Sequence, residues 1–112
     1  MCDPWTHQDI MLEITWQALH IVDMGTTLNI TDHPDRYWEI NPILGRHPSR
    51  EAVYAYMTAS AILHPIIAHY LPVKTVWLGF RFNPRRIWQA TTWYISAWNV
   101  QNNLSIGLEM RF

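Results

Sequence analysis

The sequence predicts a mainly α protein: a three-helix bundle embedded in a membrane, forming a single helical domain over residues 1–112. Three observations carry this. Ala52–Val73 and Ile87–Leu108 each run without an Asp, Glu, Lys or Arg, and both exceed the ~20 residues an α-helix needs to cross a bilayer. Ahead of them, Glu13, Gln17, His20, Asp23 and Thr27 recur three and four apart, the spacing of one helical face. Prolines and capping residues break the chain between these segments.

The first helix is predicted over Asp9–Asn29. Leu12, Trp16, Leu19 and Val22, with Met11, Ile14, Ala18, Ile21 and Leu28, cover the surface left by its polar stripe. Gly25, Thr26 and Thr27 weaken its last turn. A polar stretch, Thr31–Arg50, follows, in which His33-Pro34 and His47-Pro48 read as turns because a residue before proline avoids the helical region. Ser49 suits an N-cap for the second helix, with Glu51 in its first turn. That helix runs to about Tyr70 and stops before Pro72; Pro65 removes one backbone hydrogen bond and predicts a kink near Ala61–Pro65.

The next connection alternates, with Val76, Leu78, Phe80 and Phe82 set against Trp77, Gly79 and Arg81, and reads as a short strand. Asn83-Pro84, an N-cap followed by proline at the first helical position, opens the third helix over Pro84–Asn102. The tail alternates again at Leu104, Ile106, Leu108, Met110 and Phe112. A short β-ribbon is therefore expected, Val76–Phe82 pairing with Leu104–Phe112.

A net charge of -1 provides no bulk attraction to nucleic acid or anionic lipid, and no nucleic-acid partner is expected. Charged residues make up 15% of the chain, with seven Trp, five Tyr and three Phe, where ~25% charged is usual. The mean hydropathy of -0.11 counts against a membrane; uncharged polar side chains inside the long runs and the polar loops lower it. Cys2 is the only cysteine, so an intramolecular disulfide and a Cys-based metal cluster are both excluded. Met1–Glu13 has no Lys or Arg and does not resemble a signal peptide. The chain is thus expected to be cytosolic or inserted through internal segments.

The second helix is the stronger span, with Ala55, Ala59, Ser60 and Ala61 letting helices approach closely. The third is weaker, because Gln89, Asn99, Gln101, Asn102 and Asn103 are costly in hydrocarbon. Lys74, Arg81, Arg85 and Arg86 form a basic loop between them, which the positive-inside rule places in the cytoplasm together with the N-terminus. Thr31–Arg50 and the C-terminus would lie outside, and Trp77 and Trp88 would sit at the interface. The alternative is a soluble domain whose core is the second helix packed between the other two.

One polar cluster stands out. His20, Asp23 and Thr27 share a face of the first helix; a buried Asp beside a His and a hydroxyl can hold a proton or a cation, while a hydrogen-bonded structural Asp is the competing account. Glu39 and Asn41, with Pro42 and Gly45, form a polar loop that caps the bundle or meets a partner, unless ordinary turn chemistry explains it. Glu39 is expected to pair with Arg36, Arg46 or Arg50. His64 and His69 are roughly 140° apart around a helix, so they are not the i,i+4 pair of a zinc helix; a metal would need His20, Asp23 or Glu39 as further ligands. No catalytic residue, cofactor or metal is assigned. Asn99 and Gln101 are able to bond across helices, whereas Asn102 and Asn103 read as a fraying terminus.

The span Leu19–Pro72 resembles a group of uncharacterised small proteins of tailed phages and bacteria. These carry Asp-x-x-x-Thr in a first helix, then Glu-x-Asn-Pro, then a predicted membrane helix. The matching residues are Asp23, Thr27, Glu39, Asn41 and Pro42, extended by Ile43-Leu44-Gly45-Arg46-His47-Pro48-Ser49. The Asn102-Asn103 and Ile106-Gly107-Leu108 ending is similar to phage members. The resemblance implies a helical, membrane-embedded protein with no enzymatic activity to carry over.

The expected function is that of a small non-enzymatic membrane protein acting through helix–helix association, as a lysis or host-takeover accessory in the bacterial inner membrane. Its partners would be the lipid bilayer and either a second copy or a host protein. One alternative is a soluble, cytoplasmic phage module that inhibits a host defence protein. Another is an intramembrane metal- or proton-binding protein.

Overall fold

A computed structural model describes residues 3–39 and 43–112, so Asn41 and Pro42 of the loop motif lie outside the described residues. The elements are α1 (His7–Asp32), α2 (Arg50–Tyr70), β1 (Thr75–Trp77), β2 (Phe80–Phe82) and α3 (Pro84–Ser105). The molecule is a rod of 51 × 23 × 23 Å.

α1 starts two residues before the sequence-based expectation, because Thr6 and Asp9 form a capping box: each side chain accepts the other's backbone N–H at 3.1 Å. Ser49 caps α2 by accepting the Ala52 N–H, and Asn83 caps α3 ahead of Pro84, both as expected. α2 continues through Pro65. Proline has no N–H for the Ala61 carbonyl, and Gln17 Nε2 from α1 donates to that carbonyl at 2.9 Å instead. The break in one helix thus becomes a tie to another.

The expected ribbon is corrected. β1 pairs antiparallel with β2, with Thr75 opposite Phe82 and Trp77 opposite Phe80. Leu78 and Gly79 both have positive φ, 49° and 82°, as a two-residue hairpin turn requires. Closing so short a loop sacrifices far less chain entropy than pairing with a strand beyond α3. The tail instead turns at Gly107 and lies along α1, the Arg111 N–H donating to the Gly25 carbonyl at 3.0 Å.

Gly25 makes that approach feasible: a Cβ there would sit 2.8 Å from both Met110 Cβ and Phe112 Cζ. Gly25→Ala adds about 1 kcal/mol of helix propensity but should lift the tail. The Arg111 amide is expected to exchange with solvent faster by hydrogen-exchange mass spectrometry, with helix content unchanged. A tail as protected as in the wild type would refute this role for Gly25.

The soluble-core expectation is also corrected. α1, not α2, is central: α2 and α3 both pack on it and meet each other much less. The apolar core is small, comprising Leu28, Val53 and Met57 with Met24, Leu44 and Tyr56 against it. Arg50 pairs with Asp32 at 3.0 Å, and in the polar loop the Glu39 N–H donates to the Arg46 carbonyl at 2.8 Å. No helix among the described residues is long and apolar enough to cross a membrane, so mean hydropathy does not support the expected embedding.

Candidate functional site

A polar seam runs the length of α1 and faces inward. At one end Asp9 is buried against Arg85, which is itself fully buried. Arg85 Nη1 donates to Asp9 Oδ2 at 3.2 Å and Arg86 Nη2 to Asp9 Oδ1 at 3.0 Å. Arg85 also donates to the carbonyls of Asp3, Pro4, Ala68 and His69 and lies 5.3 Å over the Trp5 ring. The expected basic loop is therefore split: Lys74, just ahead of the hairpin, and Arg81, on it, are exposed, whereas Arg85 and the half-buried Arg86, in the first turn of α3, share the single Asp9 carboxylate. The helix periodicity of Asn83-Pro84 onward turns Arg85 toward α1, which the local cluster of positive charge disguised.

One turn further along, the Glu13 carboxylate meets His64 Nδ1 at 2.8 and 3.0 Å, and His64 Nε2 meets Thr92 Oγ1 at 2.7 Å. A carboxylate only accepts, so Nδ1 carries the hydrogen. Thr92 Oγ1 also lies 2.8 Å from the Trp88 carbonyl, which can only accept, so its hydroxyl hydrogen is shared between its own helix and the imidazole. The imidazole stacks on Trp16 at 3.6 Å, with Trp88 tilted against it at 5.2 Å. The Trp16 indole also stacks on His20 at 4.5 Å, and His20 Nε2 bonds the Met57 carbonyl at 2.9 Å. Carboxylate, imidazole and hydroxyl follow the order of a nucleophilic triad, but here the hydroxyl is already engaged by its own helix.

The far end of the seam holds Asp23. Thr27 Oγ1 donates to Asp23 Oδ1 at 3.4 Å, and Asn103 Nδ2 reaches Thr26 Oγ1 at 2.9 Å and Asp23 Oδ1 at 3.5 Å. Asn103 thus ties α3 to α1 and is not a fraying terminus. Between this end and His64, a cavity of about 320 Å³ lies between α2 and α3 over α1, lined among others by Trp16, His20, Asp23, Ser60, His64 and Asn99.

The structure brings His20, Asp23, Thr27 and His64 to one seam. His69 is outside it, accepting from Trp5 Nε1 at 3.1 Å on the exposed side. Among the described residues no group of three or more His, Cys, Asp or Glu is placed to hold a metal ion. Glu13 was legible on the polar face of α1, but its partners on α2 and α3, and Asp9, Gln89 and Thr92 as members of the seam, were missed. Their signal was present: Arg85, Gln89, Thr92, Ser96, Asn99 and Asn103 recur four and three apart, a second polar stripe matching that of α1.

Comparison with protein families, curated proteins and solved structures finds no match for this chain. Function must therefore be argued from the seam and from the surface around it.

Proposed function

We propose that this chain is a non-enzymatic, membrane-embedded three-helix protein that acts through helix–helix association. Inside-out burial carries the proposal. Along the seam, positions one or two apart divide this way on each helix: Glu13 is 9% exposed and Ile14 58%, His64 3% and Leu63 52%, Gln89 0% and Ile87 53%, beside a small apolar core that stays inside. In water, a fold normally buries the apolar member of such pairs. In hydrocarbon, polar and ionisable groups turn to the bundle interior and pair with one another. Mean hydropathy counts inward faces that lipid would not touch, so the seam lowers it without adding polar surface. Helices of 26, 21 and 22 residues reach ~30 Å or more at 1.5 Å per residue.

Two further features support the reading. Ala55 and Ala59 lie four apart on the exposed face of α2, the small-xxx-small pattern by which membrane helices associate; a second copy or a host membrane protein is the partner proposed. The N-terminal segment meets the hairpin end of the rod through Arg85, so Lys74 and Arg81 would lie with it on the cytoplasmic side of a bacterial inner membrane. The resemblance to small phage proteins suggests a lysis or host-takeover accessory.

Expressed in bacteria, the protein should sediment with membranes, stay there in high salt and alkaline carbonate, and be released by detergent. Recovery in the supernatant without detergent would overturn the proposal and favour a soluble module that binds a host protein through its exposed aromatic residues.

A further inference from the structure

We propose that the cavity between α2 and α3 binds a primary ammonium group that carries an oxygen acceptor nearby, an amino alcohol being the simplest example. This goes beyond the membrane reading, and only the lipid-headgroup arm of its test rests on that reading. A volume of about 320 Å³ is that of roughly ten waters at about 30 Å³ each, enough for a small organic ion.

The wall contains Asp23 and no Lys or Arg; burial, with the Glu39 charge, pushes the Asp23 carboxyl up to about 7, so a cation seated beside it would favour its ionised form. Two other polar groups of the wall have spent their hydrogens on backbone carbonyls and are left as acceptors. Ser60 Oγ donates to the Tyr56 carbonyl at 2.7 Å, so its oxygen is left to accept. His20 Nε2 donates to the Met57 carbonyl, leaving Nδ1 of a neutral ring as an acceptor. A cavity rich in acceptors and bearing one carboxylate selects a cationic donor, and an ammonium group offers three N–H bonds. The opposite need is met too: Trp16 Nε1 is buried, lines the cavity and has no hydrogen-bond partner among the described residues, so it can donate to a hydroxyl or ester oxygen, and the Ser96 hydroxyl and Asn99 amide in the same wall are further donors. A bare metal ion suits this wall poorly, since among the described residues no three ligating side chains converge. Leu63, Ile67 and Ile95, all exposed, form part of the lining and would accept the apolar part of an amphiphile. The ammonium therefore has two chemical sources, a free amine or an ethanolamine lipid headgroup.

The test is calorimetric titration of the detergent-purified protein with ethanolamine, and with ethylene glycol as its uncharged isostere. Saturable binding of ethanolamine alone is expected, weakened roughly tenfold or more in Asp23→Asn, as loss of a charge-assisted hydrogen bond implies. Equal binding of both compounds, or of neither, overturns the proposal without requiring any variant to fold. So does unchanged affinity in a folded Asp23→Asn protein. Repeating the titration in nanodiscs separates the sources. Ethanolamine heats suppressed by phosphatidylethanolamine but not by phosphatidylcholine identify the lipid headgroup; equal heats in both identify the free amine; no heat in either overturns the proposal. Failure here leaves fractionation untouched, so the two proposals fall separately.

Discussion

Arg85→Ala should be the most destabilising single substitution in the chain, at about 3–5 kcal/mol, the range for removing one partner of a buried ion pair. Arg85 uses all five of its N–H donors: Nε on the Ala68 carbonyl at 2.8 Å, Nη1 on Pro4 and Asp9, and Nη2 on Asp3 and His69. Ala68 and His69 belong to the last turn of α2, whose carbonyls have no partner within their own helix. A cation there also opposes the negative end of the helix dipole. One guanidinium therefore joins the N-terminal segment, the end of α2 and the start of α3. Its loss strands buried carbonyls, and Arg86 alone remains beside the Asp9 carboxylate. Arg85→Lys keeps the charge but not the planar fork, and should fall between wild type and Arg85→Ala. Thermal melting in detergent, followed by circular dichroism, measures the order; an Arg85→Ala protein that melts like wild type would refute the cage.

His64→Leu should rank second, at about 3 kcal/mol, because it leaves the Glu13 carboxylate in the interior with Gln17 Nε2 at 2.9 Å as its remaining side-chain donor. It also strips Trp16 of its stacked ring. Removing both partners together should be less harmful than the sum of the two changes, since replacing both members of a buried hydrogen-bonded pair by apolar groups can be nearly neutral. In a double-mutant cycle, Glu13→Leu with His64→Leu is expected to show about 1–3 kcal/mol of coupling. Strict additivity would mean that the pair does not interact as its geometry indicates.

Both predictions concern groups whose partners come from other helices, and this marks the boundary of what could be read in advance. Glu13, Gln17, His20, Asp23 and Thr27 were legible as one face, because helical periodicity is local and α1 preserves it. So were the caps at Ser49 and Asn83, which depend on a few neighbouring residues. The matching stripe from Arg85 to Asn103 has the same periodicity but was obscured: two arginines beside a hairpin look like a solvated loop, and asparagines near a helix end look like fraying. The tail offered alternation without a partner; the hairpin's own two-residue turn outcompeted it, and Gly25 then gave the tail a place on α1.

The sequence by itself determined three helices, their caps and the polar face of α1, because 3.6-residue periodicity and capping chemistry act over one or two turns. Only packing sets what those faces meet: that α1 is central, that two polar stripes close on each other, and that many large apolar residues beside them are left outside while a small apolar core stays within. Hydropathy summed along a helix cannot distinguish a polar group facing the interior from one facing the surroundings. That distinction exists only once the helices are packed, and the functional proposals rest on it.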